Sequence, residues 1–269
     1  MALLELNLYS NVLGMNCRVH VILPQKKQEI GLAAAAEKEA ERWPVLWLLH
    51  GASDDDTSWL RRTSIERYVS SMGLAVVMPS VHLSMYANMV HGGRYMDYVA
   101  EELPEILYQM LPLSDRREDN YIAGQSMGGY GSMKIGLTFP ERYAAIGCFS
   151  SGNFIHLGRL DKPEFGSRGA DRNRTVFGVD DMKQLAGTEH DLFELARRNL
   201  EKKPSALPGI YHVCGDQDFL LDIAREMRDW FEKNGKQYDY SYREGPGGHE
   251  WDFWDVWIQD FLKWLAEKK

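Results

Sequence analysis

The sequence predicts a single α/β domain with a doubly wound, mostly parallel β-sheet and antiparallel strands at its amino-terminal end. Three observations support this prediction. Two segments with alternating apolar and polar residues open the chain, five short and continuously apolar segments follow, and segments of helical pattern alternate with those five. Continuous hydrophobicity is typical of strands that are buried on both faces of a parallel sheet.

The elements follow in chain order. Residues 4–9 and 17–23 alternate and predict an antiparallel hairpin. The predicted parallel strands are residues 45–49, 74–78, 121–123, 144–149 and 210–214. The predicted helices are residues 64–72, 97–110, 129–139, 192–200, 221–234 and 253–265. Residues 238–243 alternate again and predict a last edge strand, and the sequence shows neither a repeat nor a linker that would divide residues 1–269.

Two segments at the ends of this pattern need a separate interpretation. Residues 31–42 contain strong helix formers with little apolar periodicity, which predicts an exposed insertion or a short helix. The aromatic residues of the last predicted helix recur at helical spacing. This spacing favours a helix that packs on the sheet over a surface that binds a partner, because aromatic side chains dominate core burial.

The composition excludes several classes of protein. Apolar residues make up 44% of the 269 residues and charged residues 26%, as in an ordinary soluble globular protein. The net charge of −8 argues against binding to nucleic acid or to an anionic membrane, because phosphates attract cations. No window reaches the roughly 18 apolar residues that a membrane span needs, and the amino terminus does not resemble a signal peptide. These features predict a cytoplasmic protein.

The three cysteines, Cys17, Cys148 and Cys214, lie far apart, and none belongs to a CxxC pair. An odd number of cysteines without metal-ligand spacing argues against a disulfide framework and against a structural zinc site. Cys148 and Cys214 lie in apolar segments, so we interpret them as small buried apolar residues.

The strongest local motif is Gly-Gln-Ser-Met-Gly at residues 124–128, followed by a further glycine. It follows an apolar strand and precedes a predicted helix, which is the context of a nucleophile elbow. The serine of such an elbow lies on a sharp turn with a strained backbone, and small neighbours prevent clashes with the sheet and the helix. Ser126 is therefore the candidate nucleophile.

A nucleophilic serine needs a general base, and in folds with this elbow the chain order is serine, acid, histidine. Of the histidines after Ser126, His156 and His190 come too early for this order, and His212 lies inside an apolar strand, where a histidine is more often a satisfied core residue. His249 lies in a glycine-rich loop after the last predicted strand, where ligands and catalytic groups collect in such folds. His249 is therefore the candidate base.

The orienting carboxylate is expected where the strand at residues 210–214 ends. Two aspartates directly follow this strand, Asp216 and Asp218, whereas Asp222 already lies within a helical pattern and is less favoured. Both also suit a turn, so the residues by themselves do not decide between them.

The reaction also needs an oxyanion hole with two hydrogen-bond donors. One donor is normally the backbone N–H after the nucleophile, here that of Met127, and the second comes from the loop after the strand at residues 45–49. That loop begins with His50. We interpret His50 as a structural hydrogen-bonding residue and not as a second catalytic histidine.

Five segments between residue 45 and the C terminus occur together and in the order found in one enzyme family. They are LLHGASDDDTSWLRRTSIERY, GGRYMDYVAEELPEIL, AGQSMGGYGSMKIGL, CGDQDFLL and PGGHEWDFW. Together they resemble the tributyrin-esterase branch of an esterase family that also includes esterase D and many feruloyl and acetyl-xylan esterases. The resemblance implies the α/β-hydrolase fold and an enzyme without a metal or an organic cofactor.

The resemblance also implies roles for individual residues. It places the catalytic acid at the aspartate before Phe-Leu, Asp218, the base at the histidine of GGHEW, His249, and the second oxyanion amide at Ala52. The implied activity is hydrolysis of short-chain esters, acetyl to butyryl, by a serine carboxylesterase that forms an acyl-enzyme intermediate. The expected partner is a small-molecule ester, and assembly into a homo-oligomer is left open. We interpret the polar residues 158–191 as a cap over the site.

Other functions are alternatives at this point. Within the family they are a feruloyl or acetyl-xylan esterase and an S-formylglutathione hydrolase, although the latter usually carries a Ser-Gly-Leu-Thr-Cys segment where this chain has residues 50–54. Acyl transfer, as in the related mycolyl transferases, is less favoured because those proteins are secreted. A binding scaffold with a hydrolase fold is the non-enzyme alternative, and a serine, an aspartate and a histidine in the required order argue against it.

Overall fold

Eight strands form one sheet in the computed structural model, which describes residues 1–25, 41–159 and 167–268. The strands lie in the order β1-β2-β4-β3-β5-β6-β7-β8 across the sheet. Their bounds are β1 (Ala2–Ser10), β2 (Met15–Leu23), β3 (Val45–Leu49), β4 (Ala75–Pro79), β5 (Asn120–Gln125), β6 (Ala145–Phe149), β7 (Gly209–Gly215) and β8 (Tyr240–Gly245). The pairs β1–β2 and β2–β4 are antiparallel, and all pairs among β3 to β8 are parallel. This arrangement confirms the predicted sheet.

The helices that the structure describes alternate with these strands. They are α1 (Ser58–Arg62), α2 (Ile65–Val69), α3 (Tyr95–Asp97), α4 (Leu103–Met110), α5 (Met127–Thr138), α6 (Ser167–Phe177), α7 (Leu192–Lys202), α8 (Leu221–Asn234) and α9 (Trp251–Glu267). A π-helical turn, Tyr98–Glu102, joins α3 to α4, so the predicted helix at residues 97–110 exists but is not regular throughout.

Helices cover both faces of the sheet, which explains the continuously apolar strands. In β3, Val45, Trp47 and Leu49 point into a core that contains residues of α3, α5, α7 and α8. Leu46 and Leu48 point into a second core, which α1, α2 and α9 share. Every residue of this strand is buried, so no position favours a polar side chain. The aromatic residues of α9 pack on the sheet as predicted, and Phe261 contacts Phe149 with ring centroids 5.8 Å apart.

Two helical predictions need correction. The segment at residues 64–72 is helical only over Ile65–Val69, and a second short helix, Ser58–Arg62, precedes it. Thr63 separates the two helices, since its backbone is extended and its hydroxyl donates to the carbonyl of Trp59. A side chain that bonds the backbone in this way competes with helix propagation.

The polar region at residues 158–191 contains a helix, α6, that the sequence did not predict. Its apolar residues are few, and the buried ones, Val176 and Phe177, lie at its last turn. The carbonyls of Thr175 and Val176 accept hydrogen bonds from the backbone N–H groups of His91 and Val90, both 2.9 Å long. The insertion predicted at residues 31–42 lies, apart from its last two residues, outside the described residues.

Candidate active site

The elbow serine has the strained backbone that the motif predicts. Ser126 lies between the end of β5 and the first residue of α5, with φ 54° and ψ −119°. Its N–H donates to the carbonyl of Phe149 in the neighbouring strand β6, at 2.9 Å, which fixes the turn to the sheet. Positive φ is unfavourable for a residue with a Cβ, so the surrounding structure holds this serine in place.

Two glycines of the motif are required because backbones approach each other closely at the elbow. A Cβ at Gly124 would lie 2.6 Å from backbone atoms of Gly128. A Cβ at Gly128 would lie 2.5 Å from the carbonyl oxygen of Leu49 in β3. Helix α5 therefore starts directly against the sheet, and any larger residue at either position would displace the serine.

A chain of hydrogen bonds joins the three residues that the motif and the resemblance select. The Ser126 hydroxyl lies 2.9 Å from Nε2 of His249. The other ring nitrogen of His249, Nδ1, lies 2.9 Å from Oδ2 and 3.1 Å from Oδ1 of Asp218. The protonated Nδ1 donates to the carboxylate, which leaves Nε2 free to accept the proton of the hydroxyl.

The surroundings of Asp218 keep its carboxyl ionised. The residue is only 5% exposed, and the backbone N–H of Leu220 donates to Oδ1 at 2.8 Å. Burial by itself raises the pKa of this carboxyl. The hydrogen bond and charge of His249, together with the donors Leu220 N–H and the Ser150 hydroxyl, outweigh burial and hold the pKa below its ordinary value.

The second candidate acid, Asp216, has a different role in the structure. Its Oδ1 accepts the backbone N–H of Gly247 at 3.3 Å, and its own N–H donates to the carbonyl of Gly245 at 2.8 Å. Asp216 thus joins the turn after β7 to the loop that carries His249. The structure brings Asp218, and not Asp216, to the imidazole.

Aromatic side chains fix the orientation of the imidazole. The ring of Phe219 lies 4.5 Å from that of His249, and the ring of Trp254 lies 5.0 Å away at nearly a right angle. The indole N–H of Trp254 also donates to the Ser150 hydroxyl at 2.9 Å. Sequence analysis did not select Ser150 or Trp254. The position of Ser150 immediately after β6, at the carboxyl edge of the sheet, was the available signal.

The two candidate oxyanion donors lie at neighbouring strand ends. Leu49 of β3 pairs with Gly124 of β5, so Ala52 and Met127 both lie three residues beyond the same rung of the sheet. In the described part of the chain, no hydrogen bond involves the N–H of either residue. Two backbone donors without an acceptor, beside a serine on a strained turn, suit an oxyanion.

The other histidines named by the sequence are engaged elsewhere. His50 is buried: its Nδ1 donates to the carbonyl of Gly51 at 2.7 Å and its Nε2 accepts the N–H of Val81 at 3.0 Å, which confirms the predicted structural role. His212 lies between the Tyr240 hydroxyl and the carbonyl of Ser151, and burial lowers its pKa to about 3. It is the satisfied core residue that its strand position predicts.

Metal-ligating residues are not clustered in the described part of the chain, where no three histidine, cysteine, aspartate or glutamate side chains could hold an ion together. Cys148 and Cys214 are buried free thiols, as interpreted from the sequence, and Cys17 is a buried free thiol as well. Among the described helices, none is both long and apolar enough to cross a lipid bilayer.

The sequence and the fold are similar to those of known esterases. The model of a family described as "Putative esterase" matches residues 10–266. The chain belongs to this esterase family. A curated acetyl esterase of Caldicellulosiruptor saccharolyticus is 30% identical over 270 residues, covering 99% of each chain.

Two solved structures from Staphylococcus aureus resemble the esterase over 98% of both chains. One is an S-formylglutathione hydrolase, 34% identical with a TM-score of 0.81. The other is a fluorophosphonate-binding serine hydrolase, 33% identical with a TM-score of 0.83. The chain therefore has the α/β-hydrolase fold and is a carboxylic ester hydrolase of the serine type.

Proposed function

We propose that the protein is a carboxylesterase for short-chain esters, acetyl to butyryl, with Ser126, His249 and Asp218 as its catalytic triad. The observation that carries this proposal is the continuous hydrogen-bonded chain from the serine hydroxyl through both ring nitrogens to a buried, ionised carboxylate. Nucleophile, base and orienting acid stand in the geometry that acyl transfer from an ester requires.

Acylation begins when Oγ of Ser126 attacks the ester carbonyl carbon while Nε2 of His249 takes the hydroxyl proton. The carbonyl oxygen becomes an oxyanion, which accepts hydrogen bonds from the N–H groups of Ala52 and Met127. The carboxylate of Asp218 stabilises the imidazolium and holds its tautomer. Collapse of the intermediate breaks the bond to the leaving oxygen, which takes the proton from Nε2 and departs as the alcohol.

Deacylation repeats these steps with water as the nucleophile. Nε2 of His249 removes a proton from water as the water oxygen attacks the acyl carbon, and the same two amides stabilise the second oxyanion. Collapse releases the carboxylic acid and returns the proton to Oγ of Ser126. The cycle consumes one ester and one water and forms one acid and one alcohol.

The acetyl esterase relative, which is similar over nearly the whole chain, supports the choice of short acyl groups. We also propose that residues 158–191 form a cap that helps to select the substrate. Support comes from the hydroxyl of Tyr130, one turn after Ser126 in α5, which donates to the carbonyl of His190 at 2.8 Å. This bond connects the elbow helix to the cap segment.

S-formylglutathione hydrolysis is the second candidate function. The similarity to the S. aureus enzyme, at 34% identity, favours it, as does a curated S-formylglutathione hydrolase of Paracoccus denitrificans that is 25% identical over 84% of this chain. A thioester reacts through the same serine and oxyanion chemistry, so the triad by itself does not separate the two substrates.

The test compares p-nitrophenyl acetate, butyrate and octanoate with S-formylglutathione, in wild type and in Ser126→Ala. We expect wild type to show its highest kcat/KM on acetate or butyrate. We expect Ser126→Ala to show no turnover above background. A kcat/KM for S-formylglutathione far above that for every oxygen ester would replace the first substrate proposal with the second. Equal ester hydrolysis by wild type and Ser126→Ala would overturn the triad.

A further inference from the structure

The oxyanion hole depends on two backbone segments that are not adjacent in the chain. Met127 follows β5, whereas Ala52 lies in the turn after β3. An error of about 1 Å in the position of a catalytic group reduces the rate substantially. The turn that carries Ala52 must therefore be held at a fixed distance from the elbow, and the sheet hydrogen bonds end before it begins, at the pair Leu49–Gly124.

One side-chain contact spans this gap. Gln125, the last residue of β5, is fully buried directly before Ser126. Its Nε2 donates to Oδ2 of Asp54 at 2.9 Å. The same amide nitrogen lies against the turn itself, because a Cβ at Gly51 would be only 2.9 Å from it.

The turn that holds Ala52 is short and strained. The N–H of Asp54 donates back to the carbonyl of Gly51 at 3.3 Å, which closes the loop around Ala52 and Ser53. Ser53 has φ 69°, an unfavourable value for a residue with a side chain. A strained turn persists only where its surroundings hold it, and the bond between Asp54 and Gln125 is such a restraint.

The orientation of the Gln125 amide favours its hydrogen bond to Asp54. Its Oε1 is buried and has no hydrogen-bond partner among the described residues. Rotating the amide by half a turn would point Oε1 at the carboxylate of Asp54, where two acceptors repel each other. The side chain therefore keeps its bond to Asp54 although its own oxygen stays unsatisfied.

We propose that Gln125 and Asp54 are positioning residues that fix the Ala52 amide relative to the Met127 amide and so assemble the oxyanion hole. This inference rests on the proposed function, since it assumes that an oxyanion forms between those two amides. Neither side chain touches the substrate in this account. Their effect is on the transition state, in which the negative charge appears.

The sharpest test exchanges donor and acceptor across the contact. Gln125→Glu places two carboxylates against each other, and we expect kcat for p-nitrophenyl acetate to fall by about 10- to 100-fold with KM changed by less than about threefold. In the double variant Gln125→Glu/Asp54→Asn, the new amide donates to the new carboxylate. We expect this double variant to recover kcat to within about fivefold of wild type.

A merely structural contact would not give this result. Destabilisation alone would lower the melting temperature and the fraction of active enzyme. It would not explain a kcat per titrated site that falls in Gln125→Glu and recovers in the double variant. Asp55→Asn is the matched control, since Asp55 is the next acidic residue of the same loop and bonds to Thr57 instead. We expect the control to keep kcat within about twofold.

Three outcomes overturn the inference while leaving the esterase proposal intact. They are wild-type kcat in Gln125→Glu, a loss carried by KM alone, and no recovery in the double variant, each with hydrolysis still dependent on Ser126. If Gln125→Glu does not fold, Gln125→Met removes the donor without adding charge, and wild-type kcat in that variant overturns the inference. Failure of the proposed function itself has another signature, namely ester hydrolysis that survives Ser126→Ala.

Discussion

Two regions of the molecule differ in how clearly the sequence predicts their structure. The first region is the carboxyl ends of β5, β7 and β8, and the second is the proposed cap at residues 158–191, of which the structure describes residues 158–159 and 167–191. At the strand ends, each candidate residue is held by a strand that pairs with its neighbours over several residues, and the close backbone contacts demand glycine. Among the described residues of the proposed cap, Val176, Phe177, Met182 and Leu185 are buried in the core that α5 and α7 share, and the end of α6 accepts hydrogen bonds from residues 90 and 91. The proposed triad, which must be placed accurately, lies on the first region, whereas the second region is the one proposed to help select the substrate.

The largest loss of activity is expected when the candidate nucleophile at the end of β5 is removed. Ser126→Ala should lower kcat by about 10⁶-fold, because without the nucleophile no acyl-enzyme forms. A fluorophosphonate probe should label wild type at one site per chain and leave this variant unlabelled. Peptide mapping identifies the site, and a label on Ser53, Ser150 or Ser151 would show that the elbow serine is not the nucleophile.

The next largest loss of kcat is expected from only one of the two aspartates after β7. Asp218→Asn should lose on the order of 10⁴-fold in kcat while remaining folded, because the neutral amide no longer fixes the tautomer or stabilises the imidazolium. Asp216→Asn is the matched control, and we expect its kcat within about tenfold of wild type, a barrier change of at most about 1.4 kcal/mol. The comparison needs variants with matched melting curves. A large loss in the Asp216 variant with a small one in the Asp218 variant would reverse the assignment.

The sequence signal at the first region is strong because its physical constraints are local. The strained turn at Ser126 requires small neighbours, and these appear as a short motif between a strand and a helix. The choice between Asp216 and Asp218 depends instead on which carboxylate a distant loop reaches, and only the family resemblance favoured Asp218 before the geometry was known. Gln125 and Asp54 were missed for the same reason, since their bond joins residues 71 positions apart.

Helix α6, which lies in the proposed cap, was not predicted because it leaves little periodic signal. Helix α6 has a polar sequence, and its buried residues Val176 and Phe177 are neighbours in sequence, so no helical repeat of apolar residues marks it. Near its C-terminal end, the carbonyls of Thr175 and Val176 accept hydrogen bonds from residues 91 and 90, which come from another part of the chain. Local propensity and pattern carry no information on such contacts.

A third prediction concerns Lys134, which lies in α5 and interacts electrostatically with Glu189 and His190 of the proposed cap. The side chain is fully buried with one hydrogen bond, to the carbonyl of Tyr86 at 3.2 Å, and burial lowers its pKa to about 7. Its unfolded pKa is about 10.4, so between pH 7 and 10 the unfolded chain binds the extra proton and folding stability rises with pH. Below pH 7 the lysine is charged in the folded state too, so the whole cost of burying this charge lowers the free energy of unfolding.

Lys134→Met should therefore stabilise the protein by on the order of 3 kcal/mol at pH 6, after allowance for the lost hydrogen bond. This gain should shrink as the pH rises toward 10, because the folded state already holds the neutral lysine and removing its proton costs less as the pH approaches the unfolded pKa. Urea unfolding of both proteins at pH 6, 8 and 10 measures the difference. A gain that does not depend on pH would mean that packing, and not the buried charge, determines the effect.

The smallest change in activity is expected from Tyr130→Phe, which tests whether the proposed cap influences the site at the strand ends. Tyr130→Phe removes the hydroxyl that donates to the carbonyl of His190 and leaves the ring, which stacks on Phe154 with centroids 4.9 Å apart. Loss of one such hydrogen bond costs about 1 kcal/mol of stability. Because the elbow itself is untouched, kcat for p-nitrophenyl acetate should stay within about threefold of wild type. The ratio of kcat/KM for butyrate to that for acetate should change, since the loosened segment is the one proposed to select the acyl group. An unchanged ratio at the lowered stability would indicate that residues 158–191 support the fold without selecting the substrate.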